Sequence, residues 1–160
     1  MSKYQIIERE RKFLLANGQV DISGLYEKKI TDYYVSNTML RFRIVVDDVA
    51  EQCKLTKKTP LDAFGETAIT TIYLDKQEFE TVNIFSSVVV TKIRYLLQLG
   101  LVVVGLDHYK NGTDELWLAE VEFSTERAMR DFELPLPYVR EVTGIPEYDG
   151  YALAKRFQQN

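Results

Sequence analysis

A chain of 160 residues suits a single domain, since it buries roughly 70% of the surface that it exposes when unfolded, and we expect one domain over residues 1–160. The net charge of −4 disfavours a binder of nucleic acid duplexes. Cys53 is the only cysteine, which excludes an internal disulfide. The apolar stretch from Leu99 to Leu106 is too short to span a membrane. We expect a cytoplasmic protein with no membrane segment, and a monomer or a homodimer.

Seven segments alternate between apolar and polar side chains and are mostly rich in β-branched and aromatic residues, which predicts β-strands. Asn111-Gly112 predicts a tight hairpin between the last two of them, because both residues tolerate positive φ. The sheet is therefore expected to contain seven or eight strands. The segments are Tyr4 to Leu15, Thr38 to Val46, Gln52 to Lys58, Ile69 to Asp75, Val88 to Leu97, Leu101 to Tyr109 and Glu115 to Phe123.

Helices are fewer and shorter. They are predicted over residues 76–86, over Thr125 to Glu133 with Ser124 as the N-cap, and over Tyr148 to Phe157. Leu134-Pro135-Leu136-Pro137 separates the last two with an extended link. No repeat or linker divides the chain.

On five predicted strands, the period-2 alternation gives one face a cluster of charged residues. The apolar faces need a covering layer, whereas the charged faces either meet solvent or line the inside of a closed barrel. The alternation alone allows both arrangements. The charged positions are Glu8, Glu10 and Lys12; Arg41 and Arg43; Lys54 and Lys58; Lys92 and Arg94; and Glu120 and Glu122.

Their chemistry favours an enclosed site that binds metal and phosphate. Neighbouring carboxylates ~4 Å apart repel by roughly 4 kcal/mol, and Mg²⁺ or Mn²⁺ relieves such repulsion. Inside one barrel, the four acids and the bases other than Lys54 would carry a net charge of roughly +2, which one or two divalent cations raise to about +4 to +6. That charge suits a tripolyphosphate with about four to five negative charges, whose oxygens fit arginine forks.

The same residues resemble a known family. Glu8-Arg9-Glu10-Arg11-Lys12 resembles the Glu-x-Glu-x-Lys signature of the CYTH superfamily, the triphosphate tunnel metalloenzymes, and further motifs follow in the family's order over nearly the whole chain. They are Tyr34-Val35, Leu40-Arg41-Phe42-Arg43, Leu55-Thr56-Lys57-Lys58, Lys92-Ile93-Arg94-Tyr95, Ala119-Glu120-Val121-Glu122-Phe123, and the closing segments Glu141-Val142-Thr143-Gly144 and Tyr151-Ala152-Leu153-Ala154.

The resemblance implies a mainly β (α+β) fold, an eight-stranded antiparallel closed tunnel barrel with a few helices packed outside. It also implies a tripolyphosphate or organic triphosphate as ligand and Mg²⁺ or Mn²⁺ as cofactor. By the same resemblance, the metal ligands are Glu8, Glu10, Glu120 and Glu122, the substrate-binding residues are Lys12, Tyr34, Arg41, Arg43, Lys58, Lys92 and Arg94, and the catalytic residues are Glu10, Glu122 and Lys12.

One strand departs from the family. The resemblance places an Arg-x-Glu-x-Glu strand where this chain reads Thr71-Ile72-Tyr73-Leu74-Asp75, so only Asp75 keeps an acid. Three functions stay open: metal-dependent hydrolysis of tripolyphosphate or of a nucleoside or thiamine triphosphate, a class IV adenylate cyclase, and a non-catalytic binder of a phosphorylated ligand. The short chain favours the hydrolase, no base-reading signature supports the cyclase, and the missing Arg-x-Glu pair modestly favours the binder.

Other candidate sites are weaker. His108 beside Asp107 has the residue types of a catalytic pair, but a lone histidine on a strand is more often a packed or surface residue, and Asp107 could reach the tunnel mouth. Cys53 lacks a convincing base and is expected to be a buried, small apolar residue.

Overall fold

The computed structural model of the protein describes residues 3–61 and 64–158. Within these residues the arrangement is mainly β: five consecutive strands precede the first α-helix, and three more strands precede the second. The strands are β1 (Ile6–Leu15), β2 (Tyr26–Tyr34), β3 (Leu40–Val46), β4 (Glu51–Pro60), β5 (Glu66–Leu74), β6 (Val88–Leu99), β7 (Val102–Asn111), β8 (Asp114–Glu122) and β9 (Arg140–Glu141), the α-helices are α1 (Lys76–Val82), α2 (Glu126–Asp131) and α3 (Gly150–Phe157), and 3-10 helices cover Asn83–Phe85 and Pro146–Tyr148.

Eight of these strands close into an antiparallel barrel. Neighbouring strands pair in the order β5-β4-β3-β2-β6-β7-β8-β1, and the additional pairing of β5 with β1 closes the ring. The two-residue strand β9 adds to the free part of the β1 edge, opposite Phe13 and Leu14. The predicted fold class, an eight-stranded antiparallel closed barrel, is confirmed.

The seven predicted strand segments correspond to β1 and to β3 through β8. Strand β2 was missed by the alternation pattern, and only its last residue, Tyr34, was identified through the family resemblance. The β7–β8 hairpin is confirmed, but its turn lies one residue later than predicted. Gly112 has φ +60° in the two-residue loop, whereas Asn111 ends β7 opposite Asp114.

The first two helices lie outside the barrel and begin at side-chain caps. Asp75 and Glu78 form a capping box at the start of α1, each side chain accepting from the other residue's backbone N–H. Helix α2 begins at Thr125, whose hydroxyl accepts from the backbone N–H of Ala128, so the prediction of Ser124 as the cap is wrong by one residue. Both helices cover outward-facing apolar residues, which bury the outside of the sheet.

Helix α3 occupies a different position and closes one end of the barrel. Residues directly opposite one another on antiparallel strands point to the same face. By this rule the inward-facing residues at that end are apolar or aromatic, and they form one buried cluster with α3. The cluster includes Leu14, Tyr34, Val88, Val90, Tyr109, Leu116 and Leu118 from the barrel and Leu153, Ala154 and Phe157 from α3.

The close approach of α3 depends on Gly150. A Cβ built at this position would lie 2.1 Å from the Tyr34 hydroxyl, so a larger residue would push α3 away from the barrel end. None of the helices among the described residues has the length and apolar character that crossing a bilayer requires.

Candidate active site inside the tunnel

The inward faces of β1–β8 enclose a space that we call the tunnel. The strand register places the sequence-predicted site residues on these faces, since Glu10 lies opposite Glu122, Lys12 opposite Glu120, and Tyr34 opposite Arg41. The structure therefore brings the predicted set into one enclosure. The set consists of Glu8, Glu10, Lys12, Tyr34, Arg41, Arg43, Lys58, Lys92, Arg94, Glu120 and Glu122.

Three carboxylates form a cluster in the tunnel. Oxygens of Glu8, Glu10 and Glu122 lie within 4.8 Å of one another, and the Lys58 ammonium donates to Glu8. Burial and the charges of Glu8 and Glu10 raise the pKa of Glu122 above its usual range. Crowded carboxylates repel one another when they are ionised, and a divalent cation between them relieves this repulsion. Carboxylate oxygens are also the donors that Mg²⁺ or Mn²⁺ prefers.

Lys12 connects this cluster to the cationic part of the tunnel. Its ammonium lies 3.1 Å from a Glu10 oxygen and 3.3 Å from a Glu120 oxygen. Burial opposes its positive charge, but the two carboxylates outweigh burial and raise the pKa of Lys12. Lys12 therefore stays protonated throughout the neutral pH range.

Asp107 holds the largest group of buried charges. It is fully buried and accepts hydrogen bonds from the Lys92 ammonium and from Arg94, whose Nε and Nη2 lie 2.5 and 2.7 Å from its two oxygens. Arg94 also donates to Glu120. Glu120 is thus surrounded by Lys12, Lys92 and Arg94, and it lies outside the three-carboxylate cluster, although all four acids were predicted as metal ligands.

A second ion pair lies on β2 and β3. Asp32 accepts from Nε and Nη2 of Arg43 at 2.5 and 2.7 Å. Burial opposes its ionisation, yet Arg43 and Arg41 lower the pKa of Asp32 well below its usual range. Arg41 Nε lies 3.5 Å from Asp32, and among the described residues it is buried without a hydrogen-bond acceptor. Burial, with a smaller effect from Asp32, raises the pKa of Tyr34 to about 12, so its hydroxyl stays neutral.

Lys54 also faces the tunnel, opposite Arg43. Burial and the charges of Arg43 and Arg41 lower its pKa to about 8. Its alternation with Lys58 was visible in the sequence, but it was not included among the predicted site residues.

Gly105 makes room for the Arg94 side chain. A Cβ at this position would lie 3.1 Å from Nε and 3.2 Å from Cδ and Cζ of Arg94. These contacts are tighter than ordinary van der Waals contact, so a side chain at residue 105 would displace the guanidinium that binds Asp107 and Glu120.

The buried ion pairs are carried by Asp32, which sequence reasoning left out, and by Asp107, which it considered only for the tunnel mouth. Each is the single acid on the inward face of its strand, where charges do not alternate, so no pattern marked it as inward-facing. The number of arginines expected inside the barrel could have indicated such acids, because buried arginines need carboxylates to compensate their charge. Asp107 lies in the buried network and not at the mouth.

The remaining candidates lie elsewhere. His108 points to the outer face, where its ring stacks on Trp117 with centroids 4.1 Å apart and its Nε2 lies 2.7 Å from Glu115, so it forms no pair with Asp107. Asp75 caps α1 and does not line the tunnel. Cys53 is buried in an apolar cluster, and burial raises its pKa, as expected for an unreactive thiol.

Solved structures of other proteins share this fold. No protein-family model matches the sequence, and no curated protein does. The inorganic triphosphatase NE1496 superposes with a TM-score of 0.59 at 26% identity, over 92% of this chain and 93% of that chain. PH1819 from Pyrococcus horikoshii OT3 gives 0.55 at 19% identity, over 77% and 82% of the two chains. HpAC1 from Hippeastrum, described as having a dominant triphosphatase activity, gives 0.53 at 13%, again over 77% and 82%.

Proposed function

We propose that this chain, which its fold and its structural neighbours identify as a member of the CYTH superfamily, hydrolyses a linear triphosphate with the help of Mg²⁺ or Mn²⁺. One observation carries the proposal. The cluster of Glu8, Glu10 and Glu122 and a set of cationic side chains face each other inside one closed barrel. The neighbour NE1496, at 26% identity over most of both chains, is described as an inorganic triphosphatase, which supports the same reaction class.

The three-carboxylate cluster fits a divalent cation. Its donors are all carboxylate oxygens that converge within 4.8 Å, and burial together with the charges of Glu8 and Glu10 raises the pKa of Glu122. Glu120 was also predicted as a ligand; its three cationic neighbours favour a role in holding Lys12 and Arg94 in place. A bound metal would neutralise charge on the phosphate oxygens and lower the pKa of a coordinated water.

The cationic side chains would bind the phosphates. A guanidinium has five N–H donors, and Asp32 and Asp107 each engage only two of them on Arg43 and Arg94. The buried Arg41 Nε has no acceptor among the described residues and suits a phosphate oxygen. These donors are fixed before the ligand arrives, which reduces the cost of ordering them.

The remaining chemistry would be electrostatic. Lys12, held protonated between Glu10 and Glu120, would place a fixed positive charge beside the transferred phosphoryl group. Glu10 and Glu122, which lie opposite each other on β1 and β8, would orient the attacking water. Such positioning accounts for most of the rate enhancement in phosphoryl transfer.

The test is product analysis with purified protein. Release of phosphate and pyrophosphate is measured from tripolyphosphate, ATP and thiamine triphosphate, with and without Mg²⁺ or Mn²⁺, and cyclic AMP is followed in the ATP reaction. We expect metal-dependent phosphate release without a cyclic product. Cyclic AMP with pyrophosphate would identify a cyclase instead, and triphosphate binding without turnover would identify a binder. The cytoplasmic location and the monomeric or homodimeric state stay predictions.

A further inference from the structure

Strand β5 differs from the rest of the tunnel wall. Each of the other seven barrel strands contributes a charged side chain to the inward face. By the register, the inward residues of β5 are the uncharged Thr67, Ile69, Thr71 and Tyr73. The wall between the bases of β4 and the acids of β1 therefore offers hydroxyl, aliphatic and aromatic surface, which binds an uncharged group better than a phosphate.

Tyr73 is the first residue of a row that crosses four neighbouring strands and runs from solvent into the tunnel. Tyr73 on β5 pairs with Lys54 on β4, Lys54 pairs with Arg43 on β3, and Arg43 pairs with Asp32 on β2. The exposed fraction falls along this row from 65% at Tyr73 to 12% for the Arg43 side chain and 3% at Asp32. Tyr73 thus stands at the open mouth, in line with bases that suit phosphate oxygens.

The Tyr73 ring is available for a ligand. Within residues 3–61 and 64–158 it makes no ring contact, and its hydroxyl forms no hydrogen bond. By comparison, the ring of Tyr26, at another strand end of the mouth, has a partner: the Lys28 ammonium lies 5.5 Å from its centroid. An exposed, unpartnered tyrosine beside a lysine suits an aromatic ring attached to phosphates, because the ring stacks while the lysine binds the nearest phosphate.

We propose that Tyr73 is a specificity-determining residue that stacks on the aromatic ring of an organic triphosphate, so that this protein prefers a nucleoside or thiamine triphosphate over inorganic tripolyphosphate. The inference rests on the proposed triphosphate hydrolysis. Lys58, which binds Glu8 of the carboxylate cluster, lies four residues from Lys54 on β4, about 13 Å along the strand. A triphosphate with its terminal phosphate at the cluster would direct its organic end towards Lys54 and Tyr73.

The experiment compares kcat/KM for ATP, thiamine triphosphate and tripolyphosphate in the wild type and in Tyr73→Ala, Tyr73→Ser and Tyr73→Phe. The matched control is Ile72→Ala, because Ile72 is the neighbouring residue, is similarly exposed at 54%, and points to the outer face of β5. Thermal unfolding checks that each variant is folded.

We expect Tyr73→Ala and Tyr73→Ser to lower kcat/KM for the preferred organic triphosphate by about 10-fold, mainly through KM, and to leave tripolyphosphate unchanged. Tyr73→Phe and Ile72→Ala should behave as wild type. Loss with ATP alone or with thiamine triphosphate alone identifies which ring is bound. An equal effect on all three substrates, or none, overturns the inference while leaving hydrolysis intact. A wild type that hydrolyses none of the three refutes the proposed function, and the inference with it.

Discussion

Replacing Glu122 with glutamine should stabilise the metal-free protein and abolish its metal-dependent activity. Burial and the charges of Glu8 and Glu10 raise the pKa of Glu122 in the folded state, so its ionised form opposes folding. The folded protein holds this proton to a higher pH than the unfolded chain does. Wild-type stability is therefore lost as the pH rises through the raised pKa, and Glu122→Gln does not suffer this loss.

The geometry of the cluster sets the size of the effect. Two unit charges 4.8 Å apart repel by about 3 kcal/mol at an effective dielectric near 20 and by about 1 kcal/mol in water. Because solvent still reaches the Glu122 carboxylate and screens its charge, the lower figure applies to each of its pairs with Glu8 and Glu10. Attraction to Arg94 and Lys58 offsets part of this repulsion. The expected gain in the free energy of unfolding is about 1 kcal/mol.

Urea unfolding at pH 8 and near pH 4, with and without Mg²⁺, measures the effect. The gain should be present at about pH 8 and small near pH 4, where Glu122 is mostly protonated in the folded and in the unfolded state. Mg²⁺ should stabilise the wild type more than the variant. The control is Glu133→Gln, an exposed acid outside the cluster, which should change neither quantity. A destabilised metal-free variant, or equal stabilisation of both proteins by Mg²⁺, would refute the electrostatic account of the cluster.

Three further predictions concern the cationic wall. Arg43→Ala should raise KM for tripolyphosphate. It should also lower the free energy of unfolding by about 3–5 kcal/mol, because it leaves Asp32 buried without its bidentate partner. An unchanged KM would place Arg43 outside the ligand site. Gly105→Ala should displace Arg94 and reduce kcat/KM by about 10-fold with little change in urea stability, and wild-type kinetics would show that the Arg94 position is not critical. Because the pKa of Lys54 is about 8, Lys54 loses its positive charge between about pH 7 and 9, and KM for tripolyphosphate should rise over this range. Lys54→Arg should show no such rise, because arginine stays protonated. Parallel pH profiles of the two proteins would contradict a phosphate-binding role.

On five of the barrel strands, β1, β3, β4, β6 and β8, the face that carries the site could be predicted from the sequence. Period-2 alternation identified the charged sides of β1 and β3, because Glu8 and Glu10, and likewise Arg41 and Arg43, share one face. The CYTH resemblance then decided between a solvent-facing sheet and a closed barrel, a choice that the alternation left open. The closed barrel in the structure confirms that decision.

The stagger between strands could not be predicted. It places Glu122 opposite Glu10 but Glu120 opposite Lys12 and Gly105, which separates two acids that belong to the same predicted metal set. Alternation within one strand contains no information on this offset, because register depends on how neighbouring strands pair.

Strand β2 shows a second limit. Its inward positions are Tyr26, Lys28, Ile30, Asp32 and Tyr34, which mix apolar, basic and acidic residues. Such a face gives no alternation between apolar and polar residues, so neither the strand nor its buried carboxylate was found. Tertiary pairing with Arg43 makes Asp32 a tunnel residue, and no local propensity encodes that pairing.

The most direct test of the account is a crystal structure of the protein with Mn²⁺ and a slowly hydrolysed tripolyphosphate analogue. Anomalous scattering locates the metal independently of the phosphates. We expect a manganese peak coordinated by oxygens of Glu8, Glu10 and Glu122, with the phosphate chain in contact with Arg41, Arg43 and Arg94. A metal bound elsewhere, or a phosphate chain outside the barrel, would contradict it.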